Sequence, residues 1–491
     1  MTRVLRLLAA ALAPAVLSAC AHASTVSAPP VTPSPAPSTL PALAHAPAWN
    51  ARDVRALDAD LQRVLAPSAL ATSGVAVLDA GGRPLFLRRE RIPVAPASTF
   101  KLLVATTALT VLGPAYRFQT TLESTEDPQD GVVHGALFLV GGGDPTLTGD
   151  DLRGGVGTLV RAGIRAVDEG VVADASAFAG PEVNPAWDPD DLQYPYGAGT
   201  SALSLDQGTV AFHLRPGPIG APAHIGVDPR SDAVQVAGGV LTGYTTDLSI
   251  ERDPLHNDFT FSGRLAARAM PTFVRPVTDM ARYAGQVAFS MLRERGIDVG
   301  GGVRVGIAPL AGAVLWRHRS APLRAIVHDM LFDSNNHFAE QLLRTVGEVR
   351  GGGTVGNGAV VERAVLTRDG VPQTGLRIVD GSGLAPVDRV EPITLATLLA
   401  RAQDEPIGAI MFDDLPRVGI EGTVRHREVT DALDHVRAKS GHIEGVNALA
   451  GYVDTRHHGR ISFAIVVNDR RADDGPVDRG IDRALDLLAR S

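Results

Sequence analysis

The sequence predicts an α+β protein: an antiparallel sheet flanked by helices, interrupted by an inserted, strand-rich module of one or two sub-domains. Three observations carry that expectation. Strand candidates follow one another over 435–440, 448–454 and 461–468, and a helical stretch over 481–489 closes the chain. A helix and a strand-turn-strand unit open the folded part, so helices from the two ends can flank one sheet. Between about 116 and 289 the texture changes to short apolar runs broken by Gly and Pro.

In order, the chain begins with Arg3 and Arg6, an apolar run from Leu7 to Val16 and then small residues, the pattern of an export signal. Leu17-Ser18-Ala19-Cys20 resembles a bacterial lipobox, in which the cysteine is lipidated and becomes the first mature residue. Cleavage after Ala21-His22-Ala23 also fits the small-x-small rule. The lipobox is preferred because Cys20 is the only cysteine of the chain, and a lone cysteine there otherwise lacks a purpose. Residues 1–20 are read as a signal peptide with lipobox, and 21–47, rich in Pro, Ala and Ser, as an extended tether. Several acyl chains would anchor the protein stably on a membrane, which places it in the periplasm or cell envelope.

Folded sequence begins near Trp49. Val54, Leu57, Leu61, Val64 and Leu65 have the spacing of a helix with one buried face, over 51–65. Residues 75–78 and 84–87, either side of Asp79-Ala80-Gly81-Gly82, read as a hairpin. Residues 98–112 are apolar nearly all round, as a central buried helix should be. These make the first part of the main domain, 48–115. The insertion, 116–289, holds one helix over 152–162 and is mostly β over 201–275. Helices return over 280–295, 323–331 and 335–347, and the second part of the main domain is expected over 290–491. Gly351-Gly352-Gly353 reads as a flexible connection, and His457 and His458 as a solvated turn.

Composition narrows the function classes. At 491 residues the chain exceeds one core, and two or three domains are expected. A net charge of −8 gives no support to nucleic-acid binding, which wants a basic face. After the N-terminus no apolar run approaches the ~20 residues of a membrane span. No His-Glu-x-x-His or paired-cysteine pattern supports a metal site, and Gly351-Gly352-Gly353 lacks the strand and the Lys-Ser/Thr of a phosphate loop. No cofactor is expected.

The chemistry is announced by lysine. Of 46 Lys plus Arg residues only Lys101 and Lys439 are lysine. Arginine stays protonated at any workable pH, whereas a buried lysine can lose its proton and act as a base. Ser98 and Lys101 stand at i and i+3, on one face of a helix within hydrogen-bonding reach. A serine hydroxyl is a poor nucleophile until a neighbour takes its proton. Lys101 can do that if burial and a second cation, Lys439, lower its pKa. Lys439 would itself hold an anionic group as a compact point charge.

Ser98-x-x-Lys101, Ser334-Asn335-Asn336 and Lys439-Ser440-Gly441, in that order, resemble the active-site set of penicillin-binding proteins and serine β-lactamases. The step from Ser98 to Ser334 is longer than a compact β-lactamase needs. The surrounding words match the D-Ala-D-Ala carboxypeptidase/endopeptidase family with a large insertion after the first motif. They are Gly141-Gly142-Gly143-Asp144-Pro145-Thr146-Leu147, Asp380-Gly381-Ser382-Gly383-Leu384, Glu421-Gly422-Thr423 and Leu449-Ala450-Gly451-Tyr452-Val453. The resemblance implies a penicillin-binding/β-lactamase-like domain that hydrolyses peptidoglycan stem peptides and is acylated by β-lactams. It makes Ser98 the nucleophile, Lys101 its base, Ser334 the proton relay to the leaving amine, and Asn336 a partner of the substrate's peptide. Lys439 and Ser440 would bind the terminal carboxylate, and the N–H groups of Ser98 and His442, beyond Gly441, would form the oxyanion hole. Trp187-Asp188-Pro189-Asp190-Asp191-Leu192 resembles the segment that meets the free amino group of the stem peptide's diamino acid, which assigns Asp191.

Two departures stand out. Ser440 replaces the common threonine but can donate the same bond. His442 occupies a position usually small or hydroxylic, where its imidazole narrows the cleft or adds pH dependence. Two rivals share the fold: a β-lactamase or esterase, and a non-catalytic wall-binding lipoprotein. The first lacks the Glu-x-x-Leu-Asn loop of class A enzymes, and intact motifs speak against the second.

Overall fold

The computed structural model describes residues 47–469 and 474–491. Cys20 and nearly all of the expected leader and tether lie outside the described residues. Helix α1 (Ala51–Val64) starts at Asn50, whose side-chain oxygen accepts from the N–H groups of Arg52 and Asp53, satisfying donors the first turn leaves unpaired. Strands β1 (Gly74–Asp79) and β2 (Pro84–Arg88) form the expected antiparallel hairpin. A 3-10 turn, Ala97–Phe100, then runs into α2 (Lys101–Leu112), buried at every position from Lys101 to Leu109. A helix with no polar face needs protein on all sides.

The insertion follows. Helices α3 (Gly149–Arg161) and α4 (Met280–Glu294) share a core with a five-stranded sheet. That sheet is built from Gln119–Ser124, Leu137–Gly141, Gly170–Asp174, Gly302–Val305 and Ala313–Arg319. Smaller sheets between Thr209 and Pro276 send Phe212, Phe259 and Phe261 into the same core. The boundary expected at 289 is corrected here, because it falls inside α4. Gly302–Val305 pairs with Gly170–Asp174 and Ala313–Arg319 with Gln119–Ser124, so the insertion's sheet runs on to Arg319. Its two edge strands are short or polar and carry little apolar alternation to betray them.

Helices α5 (Leu323–Phe332), α6 (Asn336–Glu348), α7 (Val355–Arg368), α8 (Pro392–Ala402) and the short α9 (Gly408–Asp413) lead back to the main sheet. Strands β3 (Val436–Ile443), β4 (Val446–Thr455) and β5 (Gly459–Asn468) precede the closing helix α10 (Asp474–Arg490). The order is β3-β4-β5-β1-β2, antiparallel throughout. Side chains alternate between its faces. Val75, Val77, Leu449 and Val453 pack with α1 and α10, whereas Ala76, Leu78, Ala448 and Ala450 pack with α2 and α8. The α+β architecture is the one the sequence predicts, with α2 behind the sheet. Helices α7 to α9 had no counterpart in the sequence reading. His458 is not solvated, since it stacks on Trp49 with ring centroids 4.1 Å apart. Among the described residues no helix is long and apolar enough to cross a membrane.

Candidate active site

The nucleophile turn is held by unusual backbone. Ala97 has φ +46° and Ser334, at the second motif, φ +61°, conformations that cost a non-glycine residue roughly 1–3 kcal/mol and persist only when the surroundings impose them. Strand β3 imposes one. A Cβ at Gly441 would stand 2.8 Å from the Pro96 carbonyl oxygen and 3.0 Å from the Ser98 nitrogen. Backbone therefore lies directly on backbone, and residues 440–442 reach the nucleophile turn because position 441 has no side chain.

Lys101 is fully buried. Its Nζ lies 2.8 Å from Ser98 Oγ, 2.7 Å from Asn336 Oδ1 and 2.8 Å from the Ser382 carbonyl oxygen. The last two atoms can only accept a hydrogen bond. A neutral amine gives its two hydrogens to them and turns its lone pair to the serine hydroxyl, the arrangement a base requires. Burial lowers the Lys101 pKa to about 7, against the opposing pull of Asp380 and Glu340. Burial carries that lowering, rather than the second cation, Lys439, expected from the sequence.

Lys439 is also fully buried, with Nζ 2.9 Å from Ser334 Oγ and 2.7 Å from the Ser440 carbonyl oxygen. Burial first, then repulsion from Lys101, pushes its pKa well down. An anion brought beside it would favour its charged form. Ser440 Oγ lies 2.7 Å from Thr423 Oγ1. His442 is exposed, its Nδ1 3.1 Å from Asn447 Oδ1. Asn447 Nδ2 donates to Asp474, which turns the amide oxygen to the ring and makes Nδ1 the protonated nitrogen.

The fold brings the three motifs into contact, through Lys101 with Asn336, Lys439 with Ser334, and Gly441 against the nucleophile turn. A cavity of about 620 Å³ is lined by Ser98, Asn336, Leu384, His442 and, from the insertion, Asp191 and Tyr196. Tyr196 OH donates to Asp191 Oδ1 at 2.9 Å, and Asn336 Nδ2 donates to the Tyr196 carbonyl at 3.0 Å.

Beneath the lysines lies a layer of acids that sequence reasoning assigned no role. Glu340 Oε1 accepts from the N–H groups of Gly381 and Ser382, and Asp380 accepts from those of Gly383 and Ala385. Asp380 also accepts from Trp187 Nε1 at 2.8 Å. These bonds fix the loop whose Ser382 carbonyl meets Lys101. Burial, with Asp380 nearby, raises Glu340 to about 8 and Asp388 to about 10. Glu340 lies one turn after Asn336 on α6, and Asp380 opens a glycine-rich word; those spacings were the available signals.

A serine hydroxyl, a lysine of lowered pKa within reach and a second Ser–Lys pair beside them are the parts of an acyl-transfer hydrolase. The sequence profile of the D-Ala-D-Ala carboxypeptidase 3 (S13) family matches residues 57–491, and the chain belongs to that family. It is a serine-type D-Ala-D-Ala carboxypeptidase. A D-alanyl-D-alanine carboxypeptidase from an Actinomadura species is 33% identical over 91% of this chain and 86% of its own. Carboxypeptidase DacB of Mycolicibacterium smegmatis is 30% identical over 99% and 94%. The crystal structure of penicillin binding protein 4 from Haemophilus influenzae has the same fold, with TM-score 0.77 and 24% identity over 88% of this chain and 99% of that one. That protein has also been solved complexed with a β-lactam.

Proposed function

We propose that this chain is an exported, lipid-anchored enzyme that removes the terminal D-alanine from peptidoglycan stem peptides and cleaves D-alanyl cross-links. One observation carries the reading: a buried amine with pKa about 7 stands 2.8 Å from a serine hydroxyl, its hydrogens occupied by two carbonyl oxygens. Lys101 takes the Ser98 proton as Oγ attacks the D-alanyl carbonyl. The N–H groups of Ser98 and His442 receive the charge on the carbonyl oxygen. Lys439 and Ser440 hold the substrate's terminal carboxylate, whose arrival favours the Lys439 ammonium. Ser334, bonded to Lys439, passes a proton to the leaving amine. Water then releases the acyl group by the same base. Asn336 orients the substrate's peptide. Asp191, with one oxygen held by Tyr196, takes the free amino group of the diamino acid in the cavity beside Ser98.

A β-lactam presents the same carbonyl and carboxylate and is expected to trap Ser98. The test is incubation of purified protein with labelled penicillin, followed by mass measurement of the adducted peptide. A stable adduct on Ser98 is expected. A folded protein that forms none would remove the proposal, and rapid turnover of the β-lactam would favour the β-lactamase reading.

A further inference from the structure

A second cavity, of about 370 Å³, opens on the other side of His442, whose imidazole walls both. Strand β3 gives the two cavities a direction. The first lies by Ser98 and Glu444, the side of the acyl group and its amine-bearing arm; the second begins at Ser440 and Gly441, where the leaving group's carboxylate is expected. The second is therefore the leaving-group side. A released D-alanine carries only a methyl side chain and leaves most of such a space empty. The volume instead falls in the range of about 300–1,000 Å³ typical of built ligand sites.

The lining has a recognisable polarity. Arg427 is spoken for: its guanidinium is bonded to Asp478 at 3.0 Å and Asp482 at 3.1 Å, mostly buried, and acts as a strut between the 423–428 turn and α10. Arg479, one turn into α10, is exposed and makes no hydrogen bond or ion pair among the described residues, and the same holds for the His426 ring. Among the described residues the Glu428 carboxylate likewise makes no hydrogen bond or ion pair. Free donors and a free acceptor around a polar hollow suit a peptide arm, which offers carbonyl or carboxylate oxygens and amide N–H groups in alternation.

We propose that this cavity is a leaving-group subsite that takes the diamino-acid arm of a cross-linked peptide, with Arg479 and His426 donating to its oxygens and Glu428 accepting from its N–H. The inference rests on the acyl-transfer reading above and names the substrate class that fills the leaving-group side. The chemistry is unchanged: the Ser98 Oγ–carbonyl bond forms, the amide C–N bond breaks, and the proton goes to the amine of the arm instead of to D-alanine.

The test compares two substrates on the full chain: a stem peptide ending in D-Ala-D-Ala, and a muropeptide dimer joined through a D-alanyl bond to a diamino acid. In Arg479→Ala the ratio of kcat/KM for the dimer to that for the monomer should fall roughly tenfold, the worth of one charge-assisted hydrogen bond. In Arg479→Glu it should fall further. A ratio unchanged in both variants would overturn the subsite while leaving D-alanine release intact. A wild-type enzyme that cleaves neither substrate would instead overturn the acyl-transfer reading, and the subsite with it.

Discussion

At the scale of residues, the base and its protonation decide the activity. Lys101 is poised near neutrality because burial penalises its charged form, while the Asp380 and Glu340 carboxyls keep the pKa from falling further. The neutral amine is the active form, so the rate of acylation by penicillin should rise as pH increases through about 7 and level off above it. A rate independent of pH between 5.5 and 8.5 would remove Lys101 as the base. In Lys101→Arg the guanidinium keeps the charge and cannot release its proton. Acylation should then fall by about 10²–10⁴, the usual contribution of a general base, as stopped-flow labelling would measure. The two lysines were legible from their rarity among arginines. The acids beneath them were not, because Glu340 and Asp380 meet only when α6 and the 380–384 loop are folded together. The relation between the lysines was also hidden, since spacing reveals which groups share a site but not which of them is desolvated more.

At the scale of elements, period reveals a helix that has a wet face and hides one that has none. Helix α1 buries Leu57 and Leu61 and exposes its other side, so its pattern reads directly. Helix α8 is buried at nine of its positions and begins at a proline, the residue suited to a first helical turn, yet its all-round apolarity resembles a strand run. Helix α7 is announced by Thr354, whose hydroxyl accepts from the Asn357 N–H, but three glycines before it suggest a loop. It also carries an unpaired burden. Glu362 is wholly buried, neither carboxyl oxygen is bonded among the described residues, and burial raises its pKa to about 8. Below about pH 4.5 the carboxyl is protonated in both folded and unfolded chains. As pH rises toward 8 the unfolded chain ionises first, so the stability linked to this group is lost through that window. Glu362→Gln removes the ionisation. The variant should melt higher than the parent at pH 8 by roughly 1–3 kcal/mol of stability, and by much less at pH 5. Equal differences at the two pH values, read by thermal denaturation, would refute this.

At the scale of the whole molecule, the insertion and the catalytic part are joined through α6, which is buried from His337 to Gly347. Its polar side faces protein. His337 Nδ1 lies 3.0 Å from the Gly199 carbonyl oxygen, Gln341 donates to that of Ser201, and Arg344 to those of Ala179 and Pro181. An amphipathic pattern taken alone assigns such a face to water, which is why the sequence showed that an insertion exists but not where it lies. The same joint reaches the catalytic base. Trp187, buried in the segment that supplies Asp191, donates its Nε1–H to Asp380, and Asn184 Nδ2 donates to the Val379 carbonyl. Asp380 in turn holds the loop that presents the Ser382 carbonyl to Lys101. Trp187→Phe keeps an aromatic ring but removes the donor, leaving a buried carboxylate with one bond fewer. The expected loss of stability is about 1–3 kcal/mol, visible as a lower melting temperature. If the bond also positions the base, penicillin acylation measured well below that temperature should slow by about tenfold, because the Ser382 carbonyl no longer fixes the amine's lone pair on Ser98. A lower melting temperature with an unchanged acylation rate would make the contact a structural tie alone, and the insertion would then act on catalysis only through Asp191 and its cavity.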